Sequence, residues 1–206
     1  MERSTKLNSL GRVLTKLLRH DARKHGLKVS PDGYIRVADI LRLKSLTTRS
    51  GIPLNQHTLL DVIEAVRQDG KQRMSLRGEG VHMEIRANQG HSMEGISVEA
   101  LCEKINSPDD LPVAGLAVHG TYRNVISTIK SVGLKPMGRK HVHFATQEMG
   151  SESMISGMRG NAQVLIYLDV EKALDEGLPL YLSSNKVLLC PQTVPPRFFK
   201  RIRYLS

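Results

Sequence analysis

The hydrophobic period of this chain changes near its middle, and a single uniform architecture cannot accommodate the change. In the first half, Leu10, Val13, Leu14, Leu17 and Leu18 recur at helical spacing. In the second half the apolar residues gather in short strand-like segments, GLAVHG, HVHFA, QVLIYLDV and NKVLLC, separated by turns. The chain is therefore read as α+β, a helical lobe followed by a strand-rich one.

Within the first lobe, Arg12, Lys16, Arg19 and Arg23 follow i, i+4, i+7 and i+11 opposite the apolar face, which gives one helix with a basic side. Turn residues Pro31, Asp32 and Gly33 precede a short helix expected around Val37 to Leu43. A third helix is expected from Asn55 as N-cap through Leu59, Leu60, Ile63 and Val66, ending near Gly70. RMSLR and VHMEIRA then alternate on either side of Gly78, Glu79 and Gly80, as a β-hairpin does. Three helices and a hairpin make a winged-helix-like lobe, assigned to residues 1–105. The Ser, Pro and Asp of Asn106 to Pro112 mark the linker, and residues 106–206 form the second lobe. Its best helix is expected from about Tyr122, with Val125, Ile126, Ile129 and Val132 inward and Gly133 as the stop.

Charge narrows the partner. The 206 residues carry a formal net charge of +10, and residues 1 to 28 hold eight Lys/Arg against two Asp/Glu. That asymmetry points to a polyanion. Aromatics are only 4%, so phosphate contacts are expected to outweigh base stacking. No apolar run approaches the roughly 20 residues of a membrane span, and MERSTKLNSLGR lacks the apolar core of a secretory signal. Cys102 and Cys190 stand isolated, which fits a reducing compartment. A soluble intracellular protein, cytoplasmic or nuclear, is expected, acting as a monomer and without a membrane partner.

Five stretches hold residues suited to chemistry: LLRH (Leu17 to His20), KQRM (Lys71 to Met74), IRANQGHS (Ile85 to Ser92), VHGT (Val118 to Thr121) and MGRKHVHF (Met137 to Phe144). His141 and His143 lie two apart in a strand-like segment, a spacing metal sites use, but no third ligand with metal spacing accompanies them. No metal is expected. The glycine-rich loops of Rossmann and P-loop nucleotide sites are absent from the sequence.

Taken together with ISGMR (Ile155 to Arg159), these strings stand in the order found in NAD-dependent RNA 2′-phosphotransferases, the tRNA-splicing enzymes, and the chain resembles that family over nearly its whole length. The resemblance implies a winged-helix lobe joined to an ADP-ribosyltransferase-like lobe. It implies RNA and NAD as substrates and a two-step reaction. The RNA 2′-phosphate displaces nicotinamide from NAD, and the 2″-hydroxyl of the attached ADP-ribose then attacks the phosphate, giving 2′-hydroxyl RNA and ADP-ribose cyclic phosphate.

Carried over by position, the resemblance assigns catalysis to Arg19, His20, Arg73 and Arg139. It assigns NAD contact to His119, Gly120, Thr121, His143 and Arg159. Lys71 and Ser92 join Arg12, Lys16 and Arg23 as RNA-binding candidates. The chain departs from the family pattern at Phe144 and Ala145, where a small aliphatic followed by Ser is the rule.

These residue types suit the reaction. A phosphate dianion is already a nucleophile, and arginine forks can pair with its oxygens while staying charged at any working pH. The second step needs proton transfer, for which His20 has a suitable range. Many protein-directed ADP-ribosyltransferases carry a glutamate on a C-terminal strand; here Val187 is expected at that place, where a carboxylate would repel an incoming phosphate. Two other readings stay open from the residues. One is an ADP-ribosyltransferase acting on nucleic-acid 5′-phosphates, and the other is a non-catalytic winged-helix nucleic-acid-binding protein.

Overall fold

A computed structural model describes residues 3–97, 100–147 and 161–205. The chain divides into two compact units, Met1–Leu101 and Cys102–Ser206, and is a mixed α+β protein. Among the described residues no helix is long and apolar enough to cross a membrane.

The first unit opens with α1 (Arg3–Lys16), whose Leu7, Leu10 and Leu14 are buried. Gly11 faces Ala65 and Met74 at ordinary packing distance, a Cβ there standing 4.0 Å from the Ala65 carbonyl and 3.9 Å from Met74. The regular helix ends sooner than its apolar spacing predicts. Leu17–Asp21 form a wider π turn, closed by the Ala22 N–H on the Leu17 carbonyl, and Ala22–His25 tighten to a 3₁₀ turn ending at left-handed Gly26. The expected single basic stripe is thus broken between Lys16 and Arg19.

Next come β1 (Ile35–Arg36), α2 (Val37–Ile40) and α3 (Leu59–Arg67). The N-cap of α3 is Thr58, not Asn55. Thr58 and Asp61 exchange side-chain and backbone hydrogen bonds in a full capping box, whereas Asn55 sits in a preceding 3₁₀ turn. With the start moved, Val62 and Ala65 are the buried positions and Leu60 is 72% exposed. The hairpin of β2 (Met74–Arg77) and β3 (Glu84–Ala87) forms as the alternation predicts, and β1 pairs with β3 to complete a three-stranded antiparallel sheet.

The second unit is a seven-stranded antiparallel sheet. Its strands are β4 (Cys102–Lys104), β5 (Val118–Thr121), β6 (Val142–Ala145), β7 (Val164–Leu168), β8 (Tyr181–Ser183), β9 (Val187–Cys190) and β10 (Phe199–Tyr204), in the order β10-β7-β5-β6-β9-β8-β4. One face carries the main core, including Phe144, Ile166, Leu168, Leu188 and Phe198, with α4 (Ile126–Val132) and α5 (Val170–Asp175) contributing to it. Val118, Ala145 and Leu165 form a smaller cluster on the other face. In α4, Ile126 is buried as expected, but Val125 and Val132 are 38% and 44% exposed. Arg123–Val125 form a 3₁₀ turn, which displaces Val125, and Val132, six residues on from Ile126, falls on another side of the regular helix.

Candidate functional site

The two units each assemble a set of the singled-out residues, by different means. In the first, the segment from Asn88 to Ser92 ties two distant loops. The Ser92 N–H donates to the Arg19 carbonyl at 2.9 Å, and the Ser92 hydroxyl lies 2.8 Å from His20 Nδ1. The π turn presents both contacts from consecutive residues. Gly90, at φ +84, packs against the Arg19 guanidinium, since a Cβ there would approach Nε to 3.2 Å.

At the other end of the segment, the Asn88 N–H donates to the Arg73 carbonyl at 2.9 Å and its side-chain amide to the Gln72 carbonyl at 2.7 Å. Its amide oxygen accepts from Ser75 at 2.6 Å. These bonds fix Gln72 in a left-handed conformation, φ 45°, which places Lys71 and Arg73 on a tight turn. Asp69 completes that turn by accepting from the Arg73 N–H at 2.7 Å and pairing with the Arg73 guanidinium at 3.1 Å. Burial, reinforced by the Arg73 charge and opposed by Asp69, holds the Lys71 ammonium below its ordinary range.

Arg19, His20, Arg73, Lys71 and Ser92 are thus gathered around one strand-end segment. Arg12, Lys16 and Arg23 lie exposed on the preceding helix and turns. Lys16 and Lys24 pair with Asp21 at 3.7 and 2.8 Å; the Lys24 hydrogen bond is the main cause that holds the Asp21 carboxyl below its usual range.

In the second unit, sheet register does the positioning. β5 pairs with β7 along its whole length but meets β6 at one position only, Val118 opposite Ala145. Beyond it, the His119 ring takes over the contact, with Nδ1 donating to the His143 carbonyl at 2.9 Å. His143 in turn donates from Nδ1 to the His141 carbonyl at 2.9 Å. A carbonyl can only accept, so both rings carry a proton on Nδ1. Phe144 meets the His119 ring edge-on with centroids 6.0 Å apart, so this departure from the expected sequence pattern packs directly on a site residue.

The backbone of Gly120 has a use in this arrangement. Residues of an antiparallel strand point their N–H and C=O alternately to either side, and Thr121 directs its carbonyl to β7, accepting from Gln163 at 2.8 Å. Gly120 therefore turns one donor and one acceptor toward β6, where the two strands have parted. A planar carboxamide requires that pair of groups. Arg139 lies exposed in the turn before β6, its N–H on the Pro136 carbonyl. Val187 is buried on β9 opposite Ala145. Arg159 lies outside the described residues. Among the described residues no group of three or more His, Cys, Asp or Glu could hold a metal ion.

Sequence reading assigned no role to Asp69 or Asn88, which carry the polar framework of the first set. Asp69 directly precedes Gly70 and Asn88 lies inside the IRANQGHS stretch, and neither has a spacing that marks it out.

Known proteins resemble the chain along most of its length. The chain matches the RNA 2′-phosphotransferase, Tpt1 / KptA family over residues 5–192. It is 35% identical over 203 residues to the tRNA 2′-phosphotransferase 1 of Danio rerio, covering 96% of this chain and 85% of that one. The tRNA 2′-phosphotransferase of Saccharomyces cerevisiae is 30% identical, with 94% of this chain and 82% of the relative aligned. A probable RNA 2′-phosphotransferase of Hahella chejuensis is 32% identical over 94% and 93% of the two chains.

Proposed function

The chain belongs to the RNA 2′-phosphotransferase, Tpt1 / KptA family, and from that premise we propose that it is an NAD-dependent enzyme removing the splice-junction 2′-phosphate of tRNA. The observation that carries the reading is the convergence of Arg19, His20 and Arg73 on one segment, through the Ser92–Arg19, Ser92–His20 and Asn88–Arg73 hydrogen bonds. Two guanidinium groups and an imidazole held on short loops suit a phosphate that must first be neutralised and then transferred.

In this reading the first unit is a winged-helix-like RNA-binding lobe, which the order α1-β1-α2-α3-β2-β3 supports. Arg19, Arg73 and Arg139 bind and orient the phosphate. His20, steadied by Ser92, moves the protons of the second step. The second unit is an ADP-ribosyltransferase-like NAD-binding lobe, with the Gly120 donor and acceptor suited to the nicotinamide carboxamide and His119, Thr121, His143 and Arg159 contacting the rest. NAD supplies the electrophilic ribose carbon. Val187 leaves the sheet without a carboxylate at its site, which favours a phosphate acceptor. The enzyme acts as a monomer in this reading, and arginines that meet the phosphate charge leave no step that needs a metal.

The test offers matched oligonucleotides bearing a 2′-phosphate or a 5′-phosphate, with and without labelled NAD. Expected are 2′-hydroxyl RNA and free nicotinamide from the 2′-phosphorylated RNA only when NAD is present, undiminished by a chelator. Label transferred to 5′-phosphate ends alone, or RNA binding with NAD left unconsumed, would overturn the reading.

A further inference from the structure

The C-terminal strand holds a second concentration of positive charge, separate from the basic N-terminus. Residues 196–205 contain Arg197, Lys200, Arg201 and Arg203 and no acid. Arg197 is engaged by Glu176 at 2.8 Å. Lys200, Arg201 and Arg203 are exposed, and among the described residues none of the three pairs with a carboxylate. β10 is the edge strand of the sheet, and among the described residues no strand pairs with its outer side.

Register connects these charges to the candidate NAD site. Residues directly opposite in an antiparallel pair share a face. Arg203 is opposite Leu165, and Leu165 is opposite Gly120, so the three form one rung across β10, β7 and β5. Arg201 is opposite Tyr167, which is opposite Val118, on the next rung of the same face. The Arg201 guanidinium lies over the Tyr167 ring at 4.2 Å, which holds it flat on the sheet. Two strand spacings, about 10 Å, separate Arg203 from Gly120. The basic strand therefore lies two strands away from Gly120 on the same sheet.

We propose that Lys200, Arg201 and Arg203 form a second RNA-binding surface, which takes backbone phosphates of the substrate outside the nucleotide being processed. The inference rests on the function proposed above and extends it to how a long RNA is held. Exposed charges spread along an edge strand suit a polyanion that tracks over a surface, whereas a dinucleotide is enclosed in a concave pocket.

The experiment compares the native protein with the Lys200→Ala/Arg201→Ala/Arg203→Ala variant on a 2′-phosphorylated dinucleotide and on a full-length 2′-phosphorylated tRNA. For the tRNA, KM is expected to rise roughly tenfold at moderate salt and the salt dependence of binding to flatten by about two to three released counterions. For the dinucleotide, kcat and KM are expected to stay unchanged, as is the KM for NAD. An unaltered KM for the tRNA overturns the inference. So does a rise in the KM for NAD, which would assign these arginines to its phosphates, or an equal loss on both RNA substrates, which would make them structural. Self-association of the variant with tRNA kinetics intact would likewise overturn it, because the charges would then serve only to protect the edge. Failure of the native protein to process the dinucleotide with NAD, by contrast, counts against the proposed function itself.

Discussion

The two sets of site residues are held by different physics. In the first unit, Arg19, His20 and Arg73 stand on a π turn and a tight loop, and individual side-chain and backbone bonds from Asp69, Asn88 and Ser92 keep them in place. In the second, His119 and His143 stand on strands whose positions follow from ladder register and a buried core. A single loop bond contributes about 1 kcal/mol, and stranding its buried partner costs about 1–3 kcal/mol. A strand of a packed sheet moves only with its neighbours. The first set can therefore be disarranged while the unit stays folded, and the second is inseparable from the stability of its unit.

Two glycines put this difference to its strongest test. Both have positive φ, which strains alanine by about 1–3 kcal/mol, and Gly133 at ψ −178 lies in a region essentially reserved for glycine. At Gly133, φ +85, the added Cβ would lie 2.4 Å from the Val194 carbonyl, a backbone atom fixed by the Leu134–Val194 bridge. Gly133→Ala is expected to destabilise the protein by about 4 kcal/mol once overpacking is included. At Gly90, φ +84, the Cβ would meet the Arg19 side chain, which can swing away. Gly90→Ala is expected to cost little beyond the backbone strain while lowering turnover by more than the lost stability explains. Urea denaturation and kcat measured on both variants decide it, and equal stability losses would erase the contrast.

Next in size is the effect on chemistry of His20→Ala, Arg73→Ala and Arg139→Ala. In the first step the phosphate loses charge as it attacks, so its partners mainly orient it. In the second, negative charge gathers on the phosphoryl oxygens, where each aimed donor contributes about 3 kcal/mol, near a hundredfold in rate. The variants should therefore accumulate ADP-ribosylated RNA. Arg→Lys at 73 or 139 should also be damaging, because one ammonium does not reproduce a two-pronged contact. A gel time course resolving starting RNA, intermediate and product checks this. Proportional loss of both steps, with no intermediate at any time, would remove these residues from the second step.

How far the sequence reveals each set follows from the same contrast. Leu10 and Leu14 of α1 and the hairpin are legible through their period, because burial of one face imposes one, whereas strands β5, β6, β7 and β9, buried on both faces, are legible as short apolar runs bounded by turns. The π turn at Leu17–Asp21 did not, since the apolar residues continue through it at spacing a regular helix also satisfies. The Thr58 cap was hidden behind Asn55, an equally good cap by residue type, and only the reciprocal bond with Asp61 distinguishes them. β10 escaped notice because the register shift between Phe199 and Arg201 breaks its alternation. Asp69 and Asn88 are single polar residues with no period. Their roles exist only in three dimensions.

Charge at the surface should sharpen the comparison from outside either set. Arg12, Lys16 and Arg23 are exposed, and of the bonds described above they share only the 3.7 Å pairing of Lys16 with Asp21. Charge reversal at any one of them is expected to weaken RNA affinity by about tenfold at low salt and to flatten the salt dependence by about one counterion. The rate at saturating RNA should hold. An affinity equal at low and moderate salt, or a reversed charge that lowers the saturated rate, would show that these residues act otherwise than through phosphate attraction.

The smallest expected effect concerns pH and lies in the first unit, away from its site. His57 is buried against Asp61 of α3, with Nδ1 3.7 Å from the carboxylate that also binds Lys6 of α1 at 3.2 Å. Burial chiefly, with Lys6 adding to it and Asp61 opposing, pulls the His57 pKa below its ordinary 6.5. The folded state thus takes up this proton less readily than the unfolded one, and the stability it contributes is whole above about pH 6.5 and declines as pH falls from there toward the lower folded value. Asp61 is held below 3.8, so its own contribution is lost only in stronger acid. In the second unit, burial pushes the Cys190 thiol up to about 11, and it stays protonated throughout this range. Urea midpoints of the native chain and of His57→Gln between pH 7.5 and 5 isolate the effect, because the other histidines are common to both. The native midpoint should fall more steeply with acid than the variant's. Parallel curves would mean that His57 accepts its proton as easily folded as unfolded, and that the α1–α3 packing is looser than its hydrogen bonds imply.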